Sequence, residues 1–175
     1  MVLMIFALLG LLWVVIPSPR IQETLQTRPI QLDDADWISF HGDSLVLSPV
    51  GIEIDTPRVF RKGENSIIRM VVDSAQENQS EDSVIEMYPL AELSKLYHLV
   101  WTARLDLEGL TMMQQGEITQ PITDGHKSVF QWELDSLESG EIEGTIWLYL
   151  RIFKETENQE YSIPVIARTI QLEKN

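Results

Sequence analysis

The distribution of apolar and polar residues divides the chain into three parts. Residues 1–16, MVLMIFALLGLLWVVI, contain no charged side chain. The stretch PSPRIQETLQTRPIQLDDAD that follows is polar, contains three prolines and has no sustained period. Further along, apolar residues recur at every second position in several runs, which is typical of strands with one buried side. The pattern therefore predicts an apolar helix over residues 1–17, a linker over 18–36 and an all-β domain over 37–175.

The clearest alternation lies in EGTIWLYLRIF, residues 143–153. One side of this strand carries Ile146, Leu148, Leu150 and Ile152, and the other carries Thr145, Trp147, Tyr149, Arg151 and Phe153. A helix of this content would be apolar all round and rich in β-forming residues, so a strand is favoured. The segment is predicted to be a central strand of a sheet, buried fully on its aliphatic side and partly on its aromatic side.

Other runs show the same period of two. Residues 96–107 place Tyr97, Leu99, Trp101, Ala103, Leu105 and Leu107 on one side, which predicts a half-buried antiparallel strand. KSVFQWEL, residues 127–134, is predicted to be the neighbour of the 143–153 strand, with Gly140 and Gly144 as turn residues between them. Pro164 in YSIPVIARTIQL marks an edge position or a bulge. About seven to nine strands at such spacing predict an antiparallel β-sandwich.

The stretch GHKSVFQWELDSLESGEIEGTIWLYLRIF resembles part of bacterial immunoglobulin-like and fibronectin-type-III-like modules. In those modules a turn glycine precedes an F-x-W strand, and a glycine-bearing hairpin leads to a long apolar strand. The resemblance covers residues 95–175 and implies an immunoglobulin-like sandwich that serves as a spacer, an adhesive surface or an assembly part. The chain has no cysteine pair, so it departs from true immunoglobulin domains.

The apolar start is predicted to contact lipid. As a helix, sixteen residues would extend about 24 Å, which is short for a hydrocarbon core of about 30 Å. Trp13 suits an interfacial position. We expect a membrane anchor whose lipid-facing residues include Leu3, Phe6, Leu9, Leu12 and Trp13. A signal peptide of a chain whose true start differs from Met1, and a buried core helix ended by its prolines, are the alternatives.

Few charged residues flank the anchor to determine its orientation in the membrane. Arg20 and Arg28 follow the apolar run, and no basic side chain precedes it. Applied literally, the positive-inside rule would place the C-terminal domain in the cytoplasm. The acidic bulk of the domain argues against that placement. We expect a single-pass membrane protein with an extracytoplasmic C-terminal domain.

Charge and cysteine content exclude several function classes. The formal net charge of −14 repels nucleic-acid phosphates, and no Lys/Arg cluster offsets it, so no nucleic-acid partner is expected. The absence of cysteine excludes disulfides, thiolate metal sites and cysteine nucleophiles.

No catalytic or cofactor motif is present in the sequence. His41, His98 and His126 lack the spacing of a zinc site. The acidic run at Asp33, Asp34 and Asp36 lacks the offsets of a calcium loop. The carboxylates near residues 135–143 lie in a polar turn rather than in the desolvated cleft that acid–base catalysis needs. We therefore expect no enzyme activity, no cofactor and no metal.

The aromatic side of residues 143–153 is the best candidate for recognition. Trp147, Tyr149, Arg151 and Phe153 match the composition of interface hot spots, although loops could instead cover them. The predicted function is that of a membrane-anchored, extracytoplasmic β-sandwich with a non-catalytic binding or assembly role. Its partners would be the bilayer, through residues 1–16, and a protein. The alternative is a small accessory subunit of a membrane complex, whose short helix packs on other transmembrane helices.

Overall fold

The chain is mostly antiparallel β-structure, as the alternation of its residues predicts. The computed structural model describes residues 19–32, 45–60, 66–74, 87–108, 117–134, 142–154 and 159–174. Within these ranges there are eleven strands and a single helical turn. The strands are β1 (Arg20–Gln26), β2 (Ile30–Leu32), β3 (Leu45–Leu47), β4 (Gly51–Pro57), β5 (Val59–Phe60), β6 (Ser66–Asp73), β7 (His98–Leu107), β8 (Glu117–Pro121), β9 (Lys127–Leu134), β10 (Ile142–Lys154) and β11 (Gln159–Lys174); the helix is α1 (Leu90–Leu93).

The described strands form two large sheets and one small one. The four-stranded sheet has the order β1-β4-β6-β9, and the five-stranded sheet has the order β5-β11-β10-β7-β8. Strands β2 and β3 pair by themselves. Every pairing between the described strands is antiparallel except the short contact between β11 and β5, and a parallel bridge joins Leu47 to Tyr88. Strand β10 therefore lies inside its sheet, between β11 and β7, as predicted for a central strand.

Both large sheets contribute side chains to one connected hydrophobic core. The four aliphatic residues predicted to face inward from β10 are each 0% exposed: Ile146, Leu148, Leu150 and Ile152. Trp101 on β7 and Trp132 on β9 are also fully buried. Full burial of a large apolar side chain contributes roughly 1.5–3 kcal/mol relative to exposure. This core, rather than any disulfide, stabilises the fold, because the chain contains no cysteine.

Polar side chains reinforce the four-stranded sheet at its surface. Arg20 on β1 donates hydrogen bonds to the Asp55 carboxylate at 2.7 and 2.9 Å and to the Ile67 carbonyl at 2.8 Å. On neighbouring strands, Lys127 faces Asp73, and a hydrogen bond to this carboxylate raises the pKa of Lys127. Such cross-strand pairs help to fix the register of the strands.

The prediction of a linker over residues 18–36 is wrong for the part that the structure describes. Strand β1 pairs with β4 over seven residues, and Ile30 and Leu32 of β2 are 7% and 3% exposed. The polar composition outweighed a weak alternation of side chains, in which Ile21, Glu23 and Leu25 lie on one side of β1. Pairing with β4 supplies the stabilisation that this polar sequence lacks by itself. The acidic residues 33–36 lie outside the described ranges.

The predicted neighbour relation between residues 127–134 and 143–153 is also wrong. Strand β9 pairs with β6 in the four-stranded sheet, whereas β10 belongs to the five-stranded sheet. Gly144 is not a turn residue but lies within β10, opposite Leu107 of β7. A short connection between two strands favours a hairpin. Here β9 and β10 instead lie in different sheets, and each buries its apolar side in the common core.

Pro164 occupies the kind of position that its chemistry predicts. The register between β10 and β11 shifts between Leu148 and Tyr149, which leaves Val165 as the extra residue of a bulge next to Pro164. The outer side of β11 at this point pairs with no described strand. A proline, which has no N–H to donate, is tolerated at such an edge.

The predicted N-terminal helix with Leu3, Phe6, Leu9, Leu12 and Trp13 lies outside the described residues. Among the residues that the structure describes, helix is confined to the four residues of α1, and nothing there reaches the length and hydropathy that a transmembrane helix requires.

Candidate interaction surface on the five-stranded sheet

The four residues singled out from the sequence lie next to one another on β10. Because side chains alternate along a strand, burial of Ile146, Leu148, Leu150 and Ile152 turns the intervening residues to the opposite side of the sheet. We refer to Trp147, Tyr149, Arg151 and Phe153 as the aromatic face. Each of the four retains part of its surface exposed to solvent. The structure thus places all four on one partly exposed surface.

The rings of the aromatic face pack against each other and against β7. Trp147 and Tyr149 stack with a centroid distance of 6.3 Å and an interplanar angle of 14°. The guanidinium carbon of Arg104 lies 5.8 Å from the centroid of the Trp147 ring, which is within cation–π range. His98 meets Phe153 edge to face, with centroids 5.7 Å apart. These contacts hold the rings in defined orientations.

Arg151 connects three strands of this sheet. Its guanidinium pairs with Glu117 on β8 and with Glu160 on β11, the latter at 3.3 Å. The Arg151 side chain is 24% exposed, so it lies flat across its neighbours rather than extending into solvent. Ion pairs at such partly exposed sites contribute modestly to stability. Their main effect here is to fix the position of the charge.

Two N–H groups on the aromatic face have no acceptor among the described residues. The Trp147 indole nitrogen and the Arg151 Nε atom are both buried, and neither donates a hydrogen bond to a described atom. A buried donor without a partner costs about 1–3 kcal/mol. An acceptor that reached either group would recover part of this cost.

Small residues of β7 form the floor beneath the aromatic face. Val100 pairs in register with Arg151, and Thr102 pairs with Tyr149. These two floor residues are 5% and 0% exposed, because the longer side chains of β10 cover them. The Thr102 hydroxyl lies 3.1 Å from the hydroxyl of Thr119 on β8. Strand β7 is therefore buried on both sides here, and not half-buried as predicted.

The sequence did not reveal Arg104, Glu117 and Glu160 as parts of this surface. The only indication in the sequence is that Arg104 lies on the more polar side of the predicted 96–107 strand. The contact with Trp147 depends on the register of β7 against β10, and this register is not readable from either strand alone.

The titratable groups next to the aromatic face are surface side chains. Glu117 and Glu160 pair with Arg151, and His98 packs against Phe153. Across the described ranges, no three His, Asp or Glu side chains come together as metal ligands would. His41 and the carboxylates of residues 135–141 lie outside those ranges.

Comparisons with known proteins find no matching family model and no significantly similar curated protein. The interpretation of this surface therefore depends on its own geometry.

Proposed function

We propose that this chain is a membrane-anchored, extracytoplasmic and non-catalytic binding module that contacts a protein partner through its aromatic face. In this proposal the two large sheets enclose the common core as an immunoglobulin-like sandwich. Residues 1–16 hold the module at the bilayer, and β1 begins almost directly after the anchor, so the module stays close to the membrane surface.

The observation that carries the proposal is the arrangement of the aromatic face. Three aromatic rings and an arginine stand side by side on a central strand, partly exposed and held by Arg104, Glu117 and Glu160. Preorganised aromatic and arginine side chains of this kind dominate the binding energy of protein interfaces. Fixing them before binding lowers the entropy lost on association.

The ring geometry favours a protein partner over a glycan. Stacking on a sugar requires ring planes that are open to solvent. Here Trp147 and Tyr149 turn their planes towards each other, and Arg104 lies over the indole. Aromatic rings next to the paired charges of Arg151, Glu117 and Glu160 suit the apolar and polar mosaic of a protein interface.

A second candidate is an accessory subunit of a larger membrane complex. In this candidate the apolar residues 1–16 would pack on other transmembrane helices of the complex.

Detergent extraction of the tagged full-length chain separates these functions. The proposal predicts a partner that is lost when Trp147→Ala and Tyr149→Ala are combined. It also predicts that the partner is retained in the control Leu96→Ser, which changes a side chain that is 65% exposed elsewhere. Stoichiometric recovery with several membrane subunits, unaffected by the double variant, would support the accessory subunit instead. Recovery of the chain alone would contradict both.

Protease accessibility in intact cells tests the compartment. An extracytoplasmic domain is degraded by protease added to the medium of intact cells. In a host with an outer membrane, that membrane is permeabilised first. Protection until the inner membrane is lysed would contradict the proposed orientation.

A further inference from the structure

A cleft of about 920 Å³ separates two sheet edges on the side of the molecule where β1 and β11 lie. Strand β1 is the edge of the four-stranded sheet, and β11 is bounded by β5 only at its last two residues. The cleft lies between these edges. Its lining includes Ile142, Ile170 and Leu172, which are 9%, 8% and 1% exposed and provide an apolar floor.

The backbone of β11 presents hydrogen-bonding groups along this cleft that no described strand pairs with. The Glu173 N–H donates to the Arg58 carbonyl on the outer side of β11, at 3.2 Å. Because backbone groups alternate between the two sides of a strand, the N–H groups of Gln171, Thr169 and Ala167 also point outward. No described strand pairs with them, and all three residues are exposed.

The open stretch of β11 has defined limits. At one end the bulge at Val165 and the adjacent Pro164 interrupt the ladder. At the other end, pairing of β11 with β5 begins at Glu173. Prolines, bulges and exposed lysines normally protect sheet edges from pairing. Between Ala167 and Gln171 the strand contains no proline, bulge or lysine, and its one charged residue, Arg168, pairs across the cleft with Glu23 of β1 at 3.0 Å.

The charge of the cleft selects among the occupants that an open edge could accept. Its lining contains two arginines and four glutamates, Glu23, Glu108, Glu143 and Glu173, so the formal net charge of the lining is −2. Glu23 is already paired with Arg168. Among the described residues the other three glutamates form no salt bridge. A second copy of this chain, with a net charge of −14, would be repelled.

We propose that this cleft binds a basic, extended segment of a partner protein, which adds a strand to β11 between Ala167 and Gln171. The backbone of the segment would pair with the outward N–H and C=O groups, in the manner of β-strand addition. Alternate apolar side chains would lie on the Ile142–Ile170–Leu172 floor, and lysines or arginines would approach the glutamates. This cleft is separate from the aromatic face, so an experiment can disprove binding at one of the two surfaces without disproving binding at the other.

The test uses the purified full-length chain in a non-ionic detergent and a labelled nine-residue peptide of alternating lysine and valine. We expect fluorescence anisotropy to report saturable binding that weakens with salt. A glutamate–valine peptide and a lysine–valine peptide N-methylated at alternate residues should not bind. Glu143→Gln and Glu173→Gln should each weaken binding about two- to fivefold. The control Glu133→Gln, on the exposed side of β9, should not change it.

Hydrogen exchange supplies the sharper readout. The peptide should protect the amides of Ala167, Thr169 and Gln171, whereas those of Arg168 and Ile170, which face β10, are already slow. Thr169→Pro should abolish binding while leaving the thermal unfolding midpoint nearly unchanged, because the lost N–H faces outward. If that variant unfolds, N-methylation of the peptide still tests the same pairing.

Three results would overturn the proposal. One is the absence of saturable binding by the basic peptide. Another is salt-sensitive binding without the alternating protection, which would indicate a merely electrostatic contact. The third is protection of the same amides that rises with protein concentration alone, which would identify a second copy of the chain as the occupant.

Discussion

Gly144 shows how closely β7 and β10 approach each other. A Cβ atom at this position would lie 2.2 Å from Cδ2 of Leu107 and 2.5 Å from the carbonyl oxygen of Asp106. Neither distance is compatible with van der Waals contact, and the carbonyl belongs to a paired strand that cannot move freely. The requirement for glycine here is therefore steric and arises from a cross-strand neighbour.

Gly144→Ala is expected to destabilise the protein by about 1–3 kcal/mol, the usual cost of forcing extra volume into a packed site. Alanine restricts the unfolded chain and would otherwise stabilise the fold slightly. Chemical denaturation measures the difference. In a Leu107→Ala background the cost should fall but not vanish, since the Asp106 carbonyl remains. Equal or greater stability of the single variant would contradict the geometry.

Alternation in the sequence predicted the side of the sheet on which each β10 residue lies. Ile146, Leu148, Leu150 and Ile152 are buried, and the residues of the aromatic face are partly exposed, as expected. The neighbours that orient the aromatic face could not be predicted. Arg104 reaches Trp147 because of a cross-strand register between segments about forty residues apart. A period of two contains no information about which strand lies alongside.

Strand β1 illustrates the limit of composition as a guide to elements. Its polar sequence and flanking prolines predicted a linker, yet it is an integral edge strand. Its end is fixed at Thr27, which is 8% exposed. The Thr27 Oγ1 atom accepts a hydrogen bond from the Val50 N–H at 3.0 Å, and the Thr27 N–H donates to the Val50 carbonyl at 3.0 Å.

Thr27→Val is expected to reduce the free energy of unfolding by about 1–3 kcal/mol, because the Val50 N–H loses its side-chain acceptor in a buried place. Thr24→Val, on the exposed side of the same strand, should change stability by less than about 0.5 kcal/mol. Urea titrations of the two variants provide the comparison. Indistinguishable curves would restore the interpretation of this region as a tether.

The bulge in β11 makes a further prediction. Deletion of Val165 should cost little stability, because Pro164 and Ile166 already face the consecutive residues Tyr149 and Leu148 of β10, so the rest of β11 keeps its register. Deletion of Thr169, outside the bulge, should be strongly destabilising, because it turns the buried Ile170 and Leu172 to the wrong face. Pro164→Ala should be nearly neutral, since the proline nitrogen faces an unpaired edge. Thermal unfolding followed by circular dichroism distinguishes the variants, and a Val165 deletion as destabilising as the Thr169 deletion would contradict the assigned register.

Individual strands were more predictable than their pairing. The segments 127–134 and 143–153 are extended, as their period indicates, and the predicted strand 96–107 begins two residues later, at His98. The position of β9 in the other sheet was missed, because chain proximity suggested a hairpin with β10. Which strands pair depends on how all apolar sides can be buried together. That condition involves contacts between distant segments and is not visible in a local window.

For the molecule overall, the proposals assign separate roles to two surfaces and to the apolar start. The net charge of −14 disfavours anionic partners and favours the approach of basic segments to the acidic cleft. The aromatic face carries little unpaired charge and depends on ring contacts. Salt should therefore weaken binding at the cleft much more than binding at the aromatic face.

The most direct test of the central claim is site-specific photo-cross-linking of the full-length chain in its native membrane. Benzoylphenylalanine in place of Tyr149 samples the aromatic face. The same group in place of Ile67, which is 37% exposed on the four-stranded sheet, is the control. We predict a discrete protein adduct from position 149 that disappears with Trp147→Ala and is not formed from position 67. No protein adduct from position 149, or the same adduct from both positions, would contradict the account.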